Sequence, residues 1–180
     1  MLLSQLKYFE EIFDRKLGKW NTYPVYIKIN PDSKPLVCRY FPVPHINKET
    51  FRKEITRLIE IGVLTPVQQS EYGTLVFIIA KKEVTVIFLT NFRRLNRTVV
   101  KKSYHIPIIG DTMQWLEGLK FSTTLDINIG YYTIHIDTKS KDITTIVTEF
   151  GKFQYNVLLM VMLVSVDILQ AKVKEILGKI

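Results

Sequence analysis

The sequence predicts an α+β fold, and three observations carry the prediction. Residues 47–61 place Phe51, Ile55, Leu58 and Ile59 on one helical stripe, with Gly62 where a C-cap belongs. Residues 74–80 (TLVFIIA) and 84–90 (VTVIFLT) are β-rich runs joined by Lys81, Lys82 and Glu83, the pattern of a hairpin. Four further strand-like runs follow, and then a second helical stripe over 165–177 formed by Val166, Leu169, Val173 and Ile176.

The remaining elements follow in chain order. Residues 2–19 read as an amphipathic helix through Leu2, Leu6, Phe9, Phe13 and Leu17, and residues 1–22 as a connector helix. Residues 23–30 alternate, with Tyr23, Val25, Ile27 and Ile29 on one face of a strand. Pro31, Pro35, Pro42 and Pro44 make the next stretch extended or turning. Residues 110–117 suit a short helix with Ile109, Met113 and Leu116 inward and Gly118 as its stop. Residues 122–128, 131–137, 143–149 and 153–160 read as strands. The segment 138–141, flanked by Asp137 and Asp142, reads as a hairpin turn, and Phe150, Gly151 and Lys152 as another. No repeat or low-complexity linker divides the chain.

Composition narrows the function classes. The 180 residues are 47% apolar and 23% charged, the balance of a globular chain. A single cysteine, Cys38, excludes an intramolecular disulfide and a cysteine-rich zinc site. His45, His105 and His135 are too scattered for a histidine-based metal site. An intracellular, reducing compartment, cytoplasm or nucleus, is expected. No targeting or membrane segment is expected either: the most apolar run, 157–166, is far short of the about 20 residues a bilayer needs. The net charge of +8 makes an anionic partner the expectation, nucleic acid ahead of membrane.

Most of that charge is concentrated. Lys81, Lys82, Arg93, Arg94, Arg97, Lys101 and Lys102 stand against one acid, Glu83. They suit a surface that neutralises phosphates, and equally a solvated hairpin and loop. Asp126 lies inside Thr-Thr-Leu-Asp-Ile, a run of buried-strand character. An ionised carboxylate there needs a partner, either a metal such as Mg²⁺ or the backbone of a turn at Asn128, Ile129 and Gly130. Asp167 reads as a first-turn helix residue favoured by the dipole.

The order of these pieces resembles the reverse transcriptase of gypsy-class long-terminal-repeat retrotransposons, over residues 23–179. KPLVCRYFPVPH resembles the entry segment, and FRKEITRLIEIGVLTPVQQSEYGTLVFIIAKK the helix and strand of the fingers. NFRRLNRTVVKKSYHIPII resembles the family's D-[FY]-R-x-L-N stretch. LEGLKFSTTLDINIGYYTIHI resembles the first catalytic motif of the palm, and GKFQYNVLLMVMLVSVDILQ the G-x-[FY]-x-[FY]-x-x-L-P-x-G motif with its later P-x-x-F-Q.

The resemblance implies an incomplete right-hand polymerase. Its fingers and partial palm would occupy 23–180, on a mixed antiparallel sheet with helices on one side, without thumb or RNase H. It implies Mg²⁺ bound by Asp126, the catalytic aspartate, beside the Ile127 backbone. Lys82 and Gln170 would meet the incoming dNTP, and Tyr131 would exclude a 2′-hydroxyl. Arg93 would support template, and Arg94, Arg97, Lys101 and Lys102 extend the same basic surface. RNA or DNA template–primer and downstream polyprotein segments are the implied partners.

The chain also departs from the pattern. Ile87 stands for a triphosphate arginine, Asn91 for the aspartate of D-[FY]-R, and Val84 for the hairpin glycine. Leu159, Val161 and Val166 replace the pocket loop's prolines and glycine, and Leu75 and Ala80 stand where proline is common. The [FY]-x-D-D motif is absent. The expectation is a reverse-transcriptase fragment inactive by itself. The alternatives are a non-catalytic nucleic-acid-binding module and a decayed open reading frame, the latter with an exposed edge strand near FQYNVLLMVMLV.

Overall fold

A five-stranded mixed sheet organises the chain in the computed structural model, which describes residues 7–14, 16–80, 86–101, 104–105, 108–122, 124 and 126–178. Its strands are β1 (Leu64–Val67), β2 (Thr74–Ala80), β3 (Val86–Thr90), β4 (Ile146–Thr148) and β5 (Gly151–Tyr155), in the order β1-β5-β4-β2-β3. Every neighbouring pair is antiparallel except β2 with β4. The helices are α1 (Lys48–Glu60), α2 (Arg93–Asn96), α3 (Ile109–Trp115), α4 (Thr138–Ile143) and α5 (Ser165–Leu177). Among the described residues no helix is long and apolar enough to cross a membrane.

The long helix α1 forms as its stripe predicts. Phe51, Ile55 and Leu58 are buried against the sheet, while Glu54 and Arg57 pair on the outer face through two 2.8 Å hydrogen bonds. That pairing raises the Arg57 pKa further. The helix ends in a Schellman motif: Gly62 at φ +75° donates to Ile59 O, and Val63 donates to Leu58 O. This delivers the chain directly into β1.

β1 is an edge strand, and it carries Pro66 opposite Phe153. Asn156 donates its backbone N–H to Val63 O, so the residues facing β5 are Val63, Thr65 and Val67. The Pro66 nitrogen therefore faces outward, where no ladder bond is lost. β5 is interior, and Tyr155 from it is fully buried with its hydroxyl 2.9 Å from Thr90 Oγ1. Burial drives the Tyr155 pKa up, so the phenol stays neutral. Phe92 and Tyr155 pack ring to ring at 6.3 Å, tying α2 to the centre of the sheet.

Several expectations change. The described part of 2–19 does not make one helix: Lys7 and Tyr8 are helical, Glu10–Phe13 is a 3-10 turn and 16–22 are irregular, while residues 2–6 and 15 lie outside the described residues. Of 23–30, only Val25 and Ile29 make isolated bridges, to Ile136 and Val99. The described residues of 122–128 are irregular and exposed, with no partner strand among the described residues. A strand needs a neighbour for its backbone groups, and β-propensity alone supplies none. Residues 131–137 begin instead in a 3-10 turn, Gly130–Thr133. The expected turn at 138–141 is the helix α4, because Asp137 Oδ1 accepts the Ser140 N–H at 2.9 Å as an N-cap. Met113 and Leu116 point outward, Met113 being 63% exposed. In α5 the packed residues are Ile168 and Leu169, whereas Val166 and Ile176 are exposed. The feared edge at β5 is covered by β1 and β4, although Met160, Val161 and Leu163 beyond it remain exposed. The turn between β2 and β3 lies outside the described residues.

Because the Asp137 carboxylate supplies the side-chain N-cap of α4, Asp137→Ala is expected to lower unfolding free energy by about 1 kcal/mol. Urea denaturation of the two proteins at neutral pH measures it.

A candidate nucleic-acid interface

The short helix α2 begins where Asn91 leaves β3. Asn91 donates its N–H to Leu75 O, and its side-chain Oδ1 accepts the Arg93 N–H at 3.3 Å. Phe92 is buried next to Tyr155, so Arg93 is held at the mouth of the sheet. Arg93 and Asn96 line a cleft of about 470 Å³ with Phe77, Leu89, Thr90 and Val161. The far wall is fastened by one amide. Asn96 Nδ2 donates to Val161 O at 3.0 Å, and its Oδ1 accepts the Leu163 N–H at 2.9 Å.

Phe77 enters this cleft because β2 is apolar on both faces. Val76 is buried in the core, and the next residue necessarily points the other way. Phe77 meets Phe41 with ring centroids 5.1 Å apart, and Phe41 is 53% exposed. The cleft thus joins aromatic surface to a guanidinium that has no ion-pair partner among the described residues, and none of the described lining residues is a carboxylate. That combination suits stacked bases beside a phosphate.

The other expected site residues are distributed differently. Arg94 and Arg97 lie on the opposite side of α2, where Arg94 Nη1 reaches the Cys38 sulfur at 3.8 Å. Lys101 is exposed, while Lys82, Val84 and Lys102 lie outside the described residues. Asp126 is exposed, and among the described residues it neither caps the turn after it nor forms an ion pair. Ile127 is also exposed. Tyr131 is half-buried in the 3-10 turn and packs on the core, and Gln170 is half-buried in α5. Asp126, Tyr131 and Gln170 are not among the residues lining the cleft. Asp167 is a first-turn residue of α5, as expected, and also accepts the Tyr104 N–H at 3.4 Å.

Among the described residues no three His, Cys, Asp or Glu side chains come together as metal ligands. A metal pair shares bridging carboxylates, and Asp126 alone does not fit that requirement. Gly130 brings the segment after Asp126 close to α5: a Cβ there would lie 3.3 Å from Ile127 Cγ2 and 3.8 Å from Leu169 Cδ1.

Phe77, Leu89 and Asn96 join the site only in the structure. Asn96 closes the NFRRLN motif and was visible there. Phe77 was hidden because an unbroken apolar run does not disclose which face is open.

No family model matches the chain. It is 27% identical over 162 residues to the retrovirus-related Pol polyprotein from transposon opus of Drosophila melanogaster, covering 86% of this chain and 16% of that protein. It is 25% identical over 130 residues to the Pol polyprotein from transposon gypsy of the same organism, covering 69% and 12%. The chain therefore spans a small part of its curated relatives. Among solved structures, prototype foamy virus protease–reverse transcriptase superposes with a TM-score of 0.84 at 21% identity, covering 99% of this chain and 24% of that one. The foamy viral enzyme solved with an RNA/DNA hybrid gives 0.80 at 21%, with the same shares covered. The chain is similar to part of retroelement Pol polyproteins, and its α+β fold matches that of the aligned quarter of the foamy virus protein.

Ile129 holds φ +48°, a left-handed conformation that disfavours a β-branched residue, and it is 49% exposed. Ile129→Gly is expected to raise unfolding free energy by about 1 kcal/mol. A higher midpoint in thermal denaturation is the readout.

Proposed function

We propose that this chain is the fingers and partial palm of a gypsy-class reverse transcriptase, and that by itself it binds nucleic acid without extending a primer. The observation that carries the binding half is the cleft at α2. Arg93 is there without an acid, beside Phe77 and Phe41, under a wall fastened by Asn96. The relatives support the same direction, since a foamy viral protein of this fold was solved with an RNA/DNA hybrid.

The family reaction joins a primer 3′-hydroxyl to the α-phosphorus of a dNTP and releases pyrophosphate. In this reading Lys82 and Gln170 face the triphosphate, Tyr131 lies under the deoxyribose, and Arg93 supports the template strand. Arg94, Arg97, Lys101 and Lys102 neutralise backbone phosphates. Asp126, with the Ile127 backbone beside it, offers Mg²⁺ one carboxylate. One carboxylate is too few for the metal pair, so catalysis by the chain alone is not expected. Template–primer, dNTP and downstream polyprotein segments are the proposed partners.

A second reading, a non-catalytic nucleic-acid-binding module of retroelement descent, is favoured by the same acid-free cleft. Two assays test what the readings share. Primer extension on an RNA template with the purified chain is expected to give no product, and incorporation abolished by Asp126→Ala would sink the claim of inactivity. In fluorescence anisotropy with a labelled single-stranded oligonucleotide, Phe77→Ala is expected to weaken binding by about 1–3 kcal/mol. Arg93→Ala is expected to reduce the salt slope by about 0.7. Unchanged affinity and slope in both variants would overturn the cleft as the binding surface.

A further inference from the structure

α2 separates two cavities. Arg93 and Asn96, three residues apart, line the cleft described above. Arg94 and Arg97, also three apart, line a second cavity of about 250 Å³ together with Lys34, Leu36, Tyr72 and Thr98. Leu95 between them is buried, so the arginines are fixed to the core at their base.

Three cations converge on this cavity, and no acid is among the described residues that line it. None of the three forms an ion pair among the described residues. Among the described residues the one hydrogen bond of the Arg94 guanidinium is to the Cys38 sulfur, a weak acceptor. A neighbouring cavity of about 540 Å³ shares Tyr72, but there Glu71 and Asp142 oppose Lys152. The smaller cavity is therefore the one of single sign. Burial, with Glu71 and Asp142 nearby, raises the Tyr72 pKa, so its phenol adds no negative charge.

The walls are built by long-range backbone hydrogen bonds rather than by a loose loop. Gly73 donates to Leu36 O and Cys38 donates to Gly73 O, both at 2.7 Å. Asn30 donates to Thr98 O at 2.7 Å, and Val100 to Lys28 O at 2.9 Å. Lys34 is thus carried on a segment anchored at both ends to the strand region and to the chain after α2. Like charges held together without a counter-ion repel, and an oxyanion with several acceptor oxygens relieves that repulsion. Arginine forks match a phosphoryl group in this way.

We propose that this cavity is a phosphate pocket that holds one backbone phosphate of a nucleic-acid strand passing over α2. It rests on the nucleic-acid reading of the adjoining cleft. The strand's bases lie on the Phe77 side, and the phosphate on the Arg94, Arg97 and Lys34 side. The same chemistry accepts free phosphate, and the experiment distinguishes the two sources.

The test uses the exposed pair Lys34→Gln with Arg97→Gln, leaving Leu95 and the Arg94–Cys38 contact intact. Anisotropy with a single-stranded oligonucleotide across a salt series is measured for the wild type, this double variant and Phe77→Ala. The double variant is expected to lose about 0.7 from the salt slope and about tenfold in affinity at low salt. Phe77→Ala is expected to lose affinity with the slope unchanged. In parallel, inorganic phosphate is titrated while amide resonances are followed by NMR. Shifts at Leu36, Tyr72 and Thr98 that vanish in the double variant support the pocket. If Phe77→Ala weakens oligonucleotide binding while the double variant matches the wild type, the pocket is overturned and the cleft stands. If phosphate shifts those amides but no oligonucleotide binds, free phosphate is the ligand, and the strand and the proposed function both fall. If phosphate shifts nothing and the double variant keeps its slope, the pocket is overturned outright.

Discussion

The sheet is joined across its middle by one short parallel contact. β2 and β4 meet over two residue pairs, Thr74↔Ile146 and Leu75↔Val147. On one side of that seam is the β2–β3 pair, and on the other β4, β5 and β1. The seam depends on Gly73. A Cβ at that position would lie 2.6 Å from Val147 Cγ2, closer than real side chains approach. Any other residue there must push the two strands apart or displace Val147. Gly73 also exchanges backbone hydrogen bonds with Leu36 and Cys38, so the same residue holds the entry segment. The cleft at Arg93, the cavity at Arg97 and the burial of Tyr155 all presuppose this seam.

The energetics agree with that arrangement. Thr74, Thr144, Thr145 and Ile146 are almost fully buried beside it. Buried hydroxyls need partners, and Thr145 Oγ1 donates to Asp142 O and Thr144 Oγ1 to Lys141 O, while the Thr74 backbone N–H donates to Thr145 O. The polar atoms at the centre are satisfied locally, by α4 and its exit. Glu149 is different. One carboxylate oxygen pairs with Lys48 at 2.8 Å, and the other is buried without a hydrogen-bond partner among the described residues. An ion pair of that kind ties the β4–β5 turn to the start of α1, and it contributes less stability than its short distance suggests.

Much of the fold was legible because its signals are local. The α1 stripe, the Gly62 stop, the strand runs of the β2–β3 pair and the range of α5 follow from periodicity and capping. What was not legible depends on partners. Residues 122–128 have strand composition, yet a strand exists only beside another. Asp137 was visible as a turn residue, and whether it caps a helix depends on the path of residues 138–143. Arg93 was legible as a candidate, from charge and motif. Its aromatic companions were not, because TLVFIIA is apolar on both faces. The division of arginines between two sides of α2 follows from three-residue spacing, but only once the helix is known to be there.

The two edges of the sheet are chemically unlike. At β1 the Pro66 nitrogen occupies an outward position and interrupts the row of free donors. At β3, Val-Ile-Phe-Leu-Thr carries no proline, no charge and no pairing strand on its outer side among the described residues. Strand addition therefore has a direction in this molecule. A second extended chain finds a continuous template along β3 and a broken one along β1. An assembly that grew by pairing backbones would grow from the β3 side, next to the Phe77 cleft, so self-association would take ground beside the proposed nucleic-acid surface.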